Sequence, residues 1–145
     1  MRSDLAAWRL GPQLLAGNPA TSPEAVVRHF GAVQAQEHLW APWAVGRRCG
    51  ATFTVVLDGL WPAGVIRTHV LRTTWHYVHA DDLPAAIAAT ADRVMGQLVG
   101  HARRADLAEP QLVATSEVVT QIVRETPGCT RDHIAEQLRE AGVEE

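Results

Sequence analysis

Two glutamines separated by a single residue, Gln34 and Gln36, are the candidate catalytic side chains of this sequence. A glutamine carbonyl accepts a hydrogen bond from water and presents its dipole to developing positive charge. Because an amide does not titrate, such a pair would position a water molecule and would be only a feeble base. The alternative interpretation is an exposed helix end that carries two solvated amides.

The backbone around the pair decides whether the two amides can act together. On a helix, residues i and i+2 point to widely different sides, whereas on an extended backbone they share a face. Ser22-Pro23-Glu24 has the capping hydroxyl, first-turn proline and acid of a helix start. We predict that this helix ends or loosens at about Val33, and that one glutamine has no direct role if both lie in mid-helix.

Three histidines, His69, His76 and His79, suggest a metal site at first sight. His76 and His79 would face opposite sides of a strand, and no carboxylate or thiol completes a ligand set. We therefore expect no metal and no cofactor. His69 and His76 are expected to line a cleft or to form hydrogen bonds with the backbone.

A predicted β-hairpin carries Arg67 and Arg72, which would suit contact with DNA phosphates. Ordinary surface arginines are an equally weighted alternative. Trp75 and Tyr77 should share a strand face, with at least one in the core. Other aromatic residues, Trp40 and Trp43, have helical spacing, and we expect core packing from them more than base stacking.

Composition indicates a globular protein. The chain has 145 residues, of which 47% are hydrophobic and 20% charged. No apolar stretch approaches the roughly 20 residues of a membrane span, and the first ten residues lack the apolar block of a secretory signal. We therefore expect a cytoplasmic protein with no membrane contact. Cys49 and Cys129 are expected to be free, half-buried or buried thiols.

The charges are unevenly distributed along the chain. Residues 1–80 hold seven arginines and four acids, a net of +3, and residues 81–145 hold six arginines and twelve acids, a net of −6. A nucleic-acid partner should therefore contact the first half. The overall charge of −3 argues against a protein that binds DNA by charge alone.

Hydrophobic spacing and capping signals predict mainly helices. The segment from Leu5 to Leu15 fits a helix that Gly11-Pro12 could break, and the run from Leu39 to Val45 fits another. The segment from Ala51 to Leu60 fits either a strand with a turn at Asp58-Gly59 or a short helix. Two strands are predicted at about Val65 to Val70 and Thr74 to His79.

The second half is predicted to be helical. Asp81-Asp82 begin a long helix that reaches Arg103-Arg104, and residues 105–110 are expected to be a linker. Two short helices follow, joined at Pro127-Gly128, and Thr130 caps the second. The predicted fold is mainly α with a small β-hairpin (α+β). It divides into a winged-helix-like DNA-binding domain at 1–104 and an incomplete second helix-turn-helix unit at 111–145.

Three clusters together resemble the AlkZ/YcaQ-like family of winged-helix DNA glycosylases. They are Ala32-Val33-Gln34-Ala35-Gln36, the run from Ala41 to Arg48, and the run from Ile66 to His76, which is the most specific. The resemblance implies several tandem winged-helix units, so that C-terminal domains or a partner chain would complete this one. It also implies double-stranded DNA as the partner and excision of N7-alkylated or crosslinked guanines.

In that family the glutamine pair is the active-site motif, which places catalysis at Gln34 and Gln36. The resemblance and the predicted hairpin together give a DNA-binding set: Arg67, His69, Arg72, Thr73 and His76. An N7-alkylguanine is already cationic and leaves without being protonated, so neutral amides would suffice. The alternatives are a non-catalytic winged-helix DNA-binding module or truncated relative, and an interaction fragment whose acidic half docks on a partner.

Overall fold

Local capping signals determine where the helices of this chain begin and end. The computed structural model describes residues 2–72, 74–104 and 108–143. Its helices are α1 (Arg2–Leu10), α2 (Pro23–Phe30), α3 (Trp40–Cys49), α4 (Phe53–Leu60), α5 (Leu83–Arg104), α6 (Glu109–Glu125) and α7 (Arg131–Glu140), and its strands are β1 (Val33–Gln34), β2 (Val65–Val70) and β3 (Thr74–His79). The predicted fold class, mainly helical with a small antiparallel sheet, is confirmed.

The start of α2 follows its predicted signal. The Ser22 hydroxyl accepts a hydrogen bond from the Ala25 amide at 3.0 Å, and Pro23 occupies the first turn. Gly31, at φ 69°, ends the helix after Phe30. The helix therefore stops three residues earlier than the predicted limit at Val33.

The β-sheet has three antiparallel strands in the order β1-β3-β2. β2 and β3 pair from Val65 with His79 to Val70 with Thr74, which confirms both predicted strands. Leu71 follows β2 with φ 64°, in the left-handed region that a non-glycine residue rarely adopts. Strand β1 was not predicted, and it adds to the free edge of β3 through Val33 and Gln34.

The ambiguous segment from Ala51 to Leu60 proves to be helical. The Thr52 hydroxyl caps α4 by accepting from the Val55 amide, and the left-handed Gly50 ends α3 just before it. A Cβ at Gly46 would collide with the carbonyl oxygen of Ala51, so the glycine allows α3 to lie close against this turn. Helices α3 and α4 thus form a helix-turn-helix, and the hairpin follows it in a winged-helix-like arrangement.

The hydrophobic core of this region joins α2, α3, α4 and the sheet. Its buried members are Val26, Val27, Ala35, Ala41, Val45, Val56, Leu60, Val65 and Tyr77. Tyr77 therefore has the core role expected of at least one residue of the Trp75–Tyr77 pair. Burial also raises the pKa of the Tyr77 hydroxyl, and the positive charge of Arg67 opposes that shift.

The chain folds into two compact units, the first at Met1–Val94 and the second at Met95–Glu145. In the second unit α6 packs on α7, and Ile122 is buried. The division at 1–104 and 111–145 remains a prediction. Of the predicted linker, residues 105–107 lie outside the described part, while Glu109 and Pro110 form the first turn of α6 and so are not linker. Among the described helices, none is both long and apolar enough for a membrane crossing.

Candidate active site at the glutamine pair

The extended backbone after α2 exposes both glutamines to solvent. Ala35 between them is fully buried, whereas Gln34 and Gln36 are exposed. Strand β1 ends at Gln34, which pairs with His76 of β3. The prediction of a helix that ends before the pair is therefore confirmed, and the two amides are accessible to a ligand.

The side chain of Gln36 takes a place that a backbone carbonyl would normally occupy in the sheet. The Ala35 amide donates to the Trp75 carbonyl at 2.8 Å, but the Trp75 amide donates to Oε1 of Gln36 at 3.2 Å. Because the donor is an N–H, the oxygen of the Gln36 amide must face it. The orientation of this amide is thereby fixed, and its NH₂ group forms no hydrogen bond within the described part of the chain.

Arg67 holds the backbone of the same segment. Its Nε donates to the carbonyl of Ala35 at 3.0 Å, and its Nη2 donates to the carbonyl of Gln36 at 3.3 Å. The guanidinium carbon lies 4.4 Å from the centre of the Trp75 ring, a cation–π distance. A planar guanidinium can fasten two carbonyls and stack at once, which a lysine cannot do.

A groove of about 190 Å³, here called the glutamine groove, contains both amides. Its lining residues are Gln34, Gln36, Glu37, Trp40, Ala41 and Ala44. Among these described residues Glu37 is the charged one, so the groove disfavours anions and favours cations. Sequence reasoning missed Glu37, because nothing in its spacing distinguishes it from a solvated acid.

The two tryptophans of α3 overturn an expectation. Trp40 is 68% exposed and Trp43 is 56% exposed, so neither packs in the core. Helix α3 buries its small side instead, through Ala41 and Val45. Trp40 consequently forms a wall of the glutamine groove.

The predicted DNA-binding set is spread over the hairpin. His76 is buried, and its Nδ1 donates to the Thr74 carbonyl at 2.9 Å, which fits the backbone alternative. His69 is exposed, with its ring edge-on to Trp75 at 4.1 Å. Arg72 is exposed just after β2, and Thr73 lies outside the described residues.

His79 belongs to a polar cluster away from the groove. Its Nε2 lies 2.9 Å from Nη2 of Arg28 and 3.1 Å from the Ala63 carbonyl. Arg28 also pairs with Glu24 at 2.7 Å and Asp81 at 3.1 Å, hydrogen bonds that raise the pKa of the guanidinium. The cluster ties α2 to the end of β3. In the described part of the chain, no three His, Cys, Asp or Glu side chains are grouped for a metal ion.

Taken together, the fold and the groove define a winged-helix-like domain with two solvent-facing amides beside an open cleft. A family model described as DNA glycosylase AlkZ-like matches residues 27–145, a span that includes the glutamine pair and the hairpin. The chain belongs to the AlkZ-like DNA glycosylase family. This membership supports a DNA glycosylase function in general, with DNA as the substrate. Comparisons with curated proteins and with solved structures gave no match.

Proposed function

We propose that the chain hydrolyses the N-glycosidic bond of N7-alkylated guanine, including crosslinked guanine, in double-stranded DNA, with Gln34 and Gln36 as the catalytic residues. The supporting observation is that both amides line one open groove, in which the Trp75 amide fixes the orientation of Gln36. A cationic base suits this groove, since Glu37 supplies negative charge there.

The chemistry asks little of the protein beyond placement. As the C1′–N9 bond breaks, its electron pair stays with the base and cancels the positive charge that alkylation created. Water then forms a bond to C1′ and loses a proton to solvent. We assign the carbonyl of Gln34 to the water and the outward NH₂ of Gln36 to an acceptor oxygen on the nucleotide. Positioning of this kind can contribute several kcal/mol to catalysis, on the order of 3 to 4.

Arg67 and the hairpin residues take different roles in this proposal. Arg67 is a positioning residue, because its guanidinium fastens the carbonyls of Ala35 and Gln36. Arg72, His69 and Thr73 are proposed to contact phosphates and sugars from the hairpin, as the wing of a winged helix does. His76, which is buried, would support the hairpin from within. A cytoplasmic location stays a prediction.

The test is release of free base from a duplex oligonucleotide that carries one N7-methylguanine, followed by mass spectrometry. Gln34→Ala should lower the rate constant by about 10²- to 10³-fold. Gln36→Glu keeps an oxygen that accepts from the Trp75 amide but removes the NH₂ group assigned to the nucleotide. This variant therefore distinguishes the contact of Gln36 with the sheet from its proposed role in catalysis. Gln121→Ala, at an exposed position of α6, is the matched control and should release base like the unchanged chain.

Two outcomes would count against the proposal. Undiminished base release by the Gln34→Ala/Gln36→Ala double variant would remove the glutamines from catalysis. Absence of release by the unchanged chain, together with salt-sensitive DNA binding, would favour the alternative of a non-catalytic winged-helix DNA-binding module. Circular dichroism of each variant shows whether α-helix content is retained.

A further inference from the structure

Helix α3 turns an aromatic and basic face toward solvent. Trp40, Trp43 and Arg47 follow one another at spacings of three and four residues, so they share one side of the helix. The opposite side is buried through Ala41 and Val45. Arg47 is exposed and forms no ion pair with the described residues. Exposed tryptophans beside an exposed arginine are typical of surfaces that bind single-stranded nucleic acid.

A second groove lies along the same helix. It has a volume of about 230 Å³, and its walls include Trp43, Arg47, Thr52 and Phe53. Trp43 and Phe53 both expose ring surface there. We call this second groove the aromatic groove. Because α3 borders both the aromatic groove and the glutamine groove, a nucleic-acid strand bound in one can continue into the other.

The second helix of a helix-turn-helix usually lies in the major groove as the recognition helix, but α4 is unsuited to that role. The second helix, α4, has the sequence Phe-Thr-Val-Val-Leu-Asp-Gly-Leu and contains no basic residue. Its exposed side includes Val55 and Asp58. Neither side chain favours insertion into a DNA groove, where phosphates lie on both rims. Of the two helices in this pair, α3 therefore offers the rings and the positive charge that a nucleic acid would contact, and α4 does not.

We infer that the solvent face of α3 binds unpaired nucleotides of the damaged DNA strand. Trp40 stacks on the lesion base in the glutamine groove, where its ring also attracts a cationic purine. Trp43 and Phe53 stack on a neighbouring base, and Arg47 contacts a phosphate. A helix rises 1.5 Å per residue, so Trp40 and Arg47 lie roughly 10 Å apart along α3, a span of about three stacked base steps.

This inference rests on the proposed function for the lesion contact, but the aromatic groove can be tested without catalysis. The full chain is titrated into two undamaged labelled duplexes, one fully paired and one with a short unpaired bubble, and fluorescence anisotropy gives each Kd. Trp43→Ala should weaken binding to the bubble by on the order of tenfold. Trp43→Phe retains a ring and should keep most of the affinity.

Arg47 has a distinct signature. Arg47→Ala should reduce the slope of log affinity against log salt by about one, as expected for the loss of a phosphate contact. Trp61→Ala and Arg139→Ala are matched controls, because Trp61 is 73% exposed at the end of α4 and Arg139 is exposed on α7. Both controls should bind the bubble like the unchanged chain.

The outcomes separate the two proposals. If Trp43→Ala weakens bubble binding while the unchanged chain releases no base, the aromatic groove stands and the proposed catalysis falls. If base release is normal but Trp43→Ala binds like Trp61→Ala, or Arg47→Ala keeps the full salt slope, the α3 surface is overturned. Circular dichroism confirms that each variant is folded.

Discussion

In the described residues, two pairs of helices are each joined by a short turn, and the sequence marks the two turns alike. In α3–α4 a left-handed Gly50 is followed by Thr52, which caps the next helix. In α6–α7 a left-handed Gly128 is followed by Thr130, which does the same. Yet α3 and α4 bury six residues between them, at 41, 42, 45, 46, 56 and 60, whereas among the described residues of the second pair α6 buries Ile122 and α7 buries none.

The difference lies in what surrounds each pair. The first pair is packed with α2 and a three-stranded sheet, and the extended segment that adds the third strand also carries the two glutamines. The described part of the second unit contains helices without strands. A helix-turn-helix signal therefore predicts local structure in both places. The candidate site depends on the strand that precedes the first pair.

The largest expected effect is a loss of stability on placing a charge in the hydrophobic interior of the first or the second unit. Val45 is fully buried, so Val45→Asp leaves an unpaired charge inside the first unit and should cost on the order of 4 kcal/mol or more. Ile122→Asp makes the same change in α6. It should melt the second unit while the first retains its transition. Urea unfolding followed by circular dichroism and tryptophan emission measures the stability of both variants. Loss of the first unit in both variants would contradict the claim that the two units have separate interiors.

The next effect concerns the arginines. Arg67→Ala should lower the base-release rate constant by about 100-fold, because the glutamine backbone loses its guanidinium contacts. DNA affinity should hardly change, and added guanidinium should partly restore the rate. Arg67→Lys should not restore it, since an ammonium cannot make the planar double contact.

Matched arginines show whether this effect is local. Arg72→Ala should instead weaken DNA binding and lower the salt slope by about one, with the rate constant kept. Arg131→Ala, on α7, should change neither. Shifts of the Gln34 and Gln36 side-chain amide resonances in Arg67→Ala but not in Arg72→Ala would support positioning without any activity assay. Identical behaviour of the Arg67 and Arg72 variants would contradict it.

A smaller effect compares two helix caps. Ser22→Ala removes the hydroxyl that caps α2 and should cost about 1 kcal/mol of the free energy of unfolding of the first unit. Thr130→Ala removes the equivalent cap of α7, where no residue is buried. It should speed amide hydrogen exchange in α7 and leave the unfolding of the first unit unchanged. Equal losses would mean that the two units share one cooperative transition.

The smallest expected effect concerns the pH dependence of the rate. If the amides of the first unit perform the chemistry, the protein should add no step to the pH dependence of N7-methylguanine release between about pH 6 and pH 9, because glutamine does not titrate. The alkylated guanine itself loses its N1 proton in this range, so the enzymatic rate is compared with the spontaneous rate at each pH. A further step, absent from spontaneous release at the same pH, would contradict this assignment and would point to a side chain that gains or loses a proton. Single-turnover rates across this range, with each histidine replaced by glutamine, would locate it.

Much of the fold could be predicted because its signals are local. Ser22 and Thr130 mark helix starts through their own hydroxyls, and the β-branched and aromatic run from Val65 to His79 favours strands. The sequence of residues 51–60 is compatible with either a strand or a helix. Its valines and threonines favour a strand, whereas a threonine in a capping position favours a helix. The segment forms helix α4, which packs against α3.

The site was less predictable, because its contacts join distant parts of the chain. Arg67 lies about thirty residues from the carbonyls that it binds, and it reaches them only because the sheet order sets β3 between β1 and β2. Helix α3 has two apolar sides, one with Trp40 and Trp43 and one with small residues such as Ala41. The side with small residues is the buried one, and Gly46 allows the helix to lie close against the turn at Ala51, where a larger residue would collide.

The bond from the Trp75 amide to the side chain of Gln36 has an evolutionary consequence. One residue serves both as scaffold and as candidate catalyst, so selection on folding and selection on repair act on the same codon. A descendant that lost its activity would still be held to an acceptor at this position, or would fray the edge of its sheet. Persistence of Gln36 alone therefore would not prove that a relative is active. Persistence of Gln34, whose side chain forms no hydrogen bond with the described residues, would be the more telling trace of function.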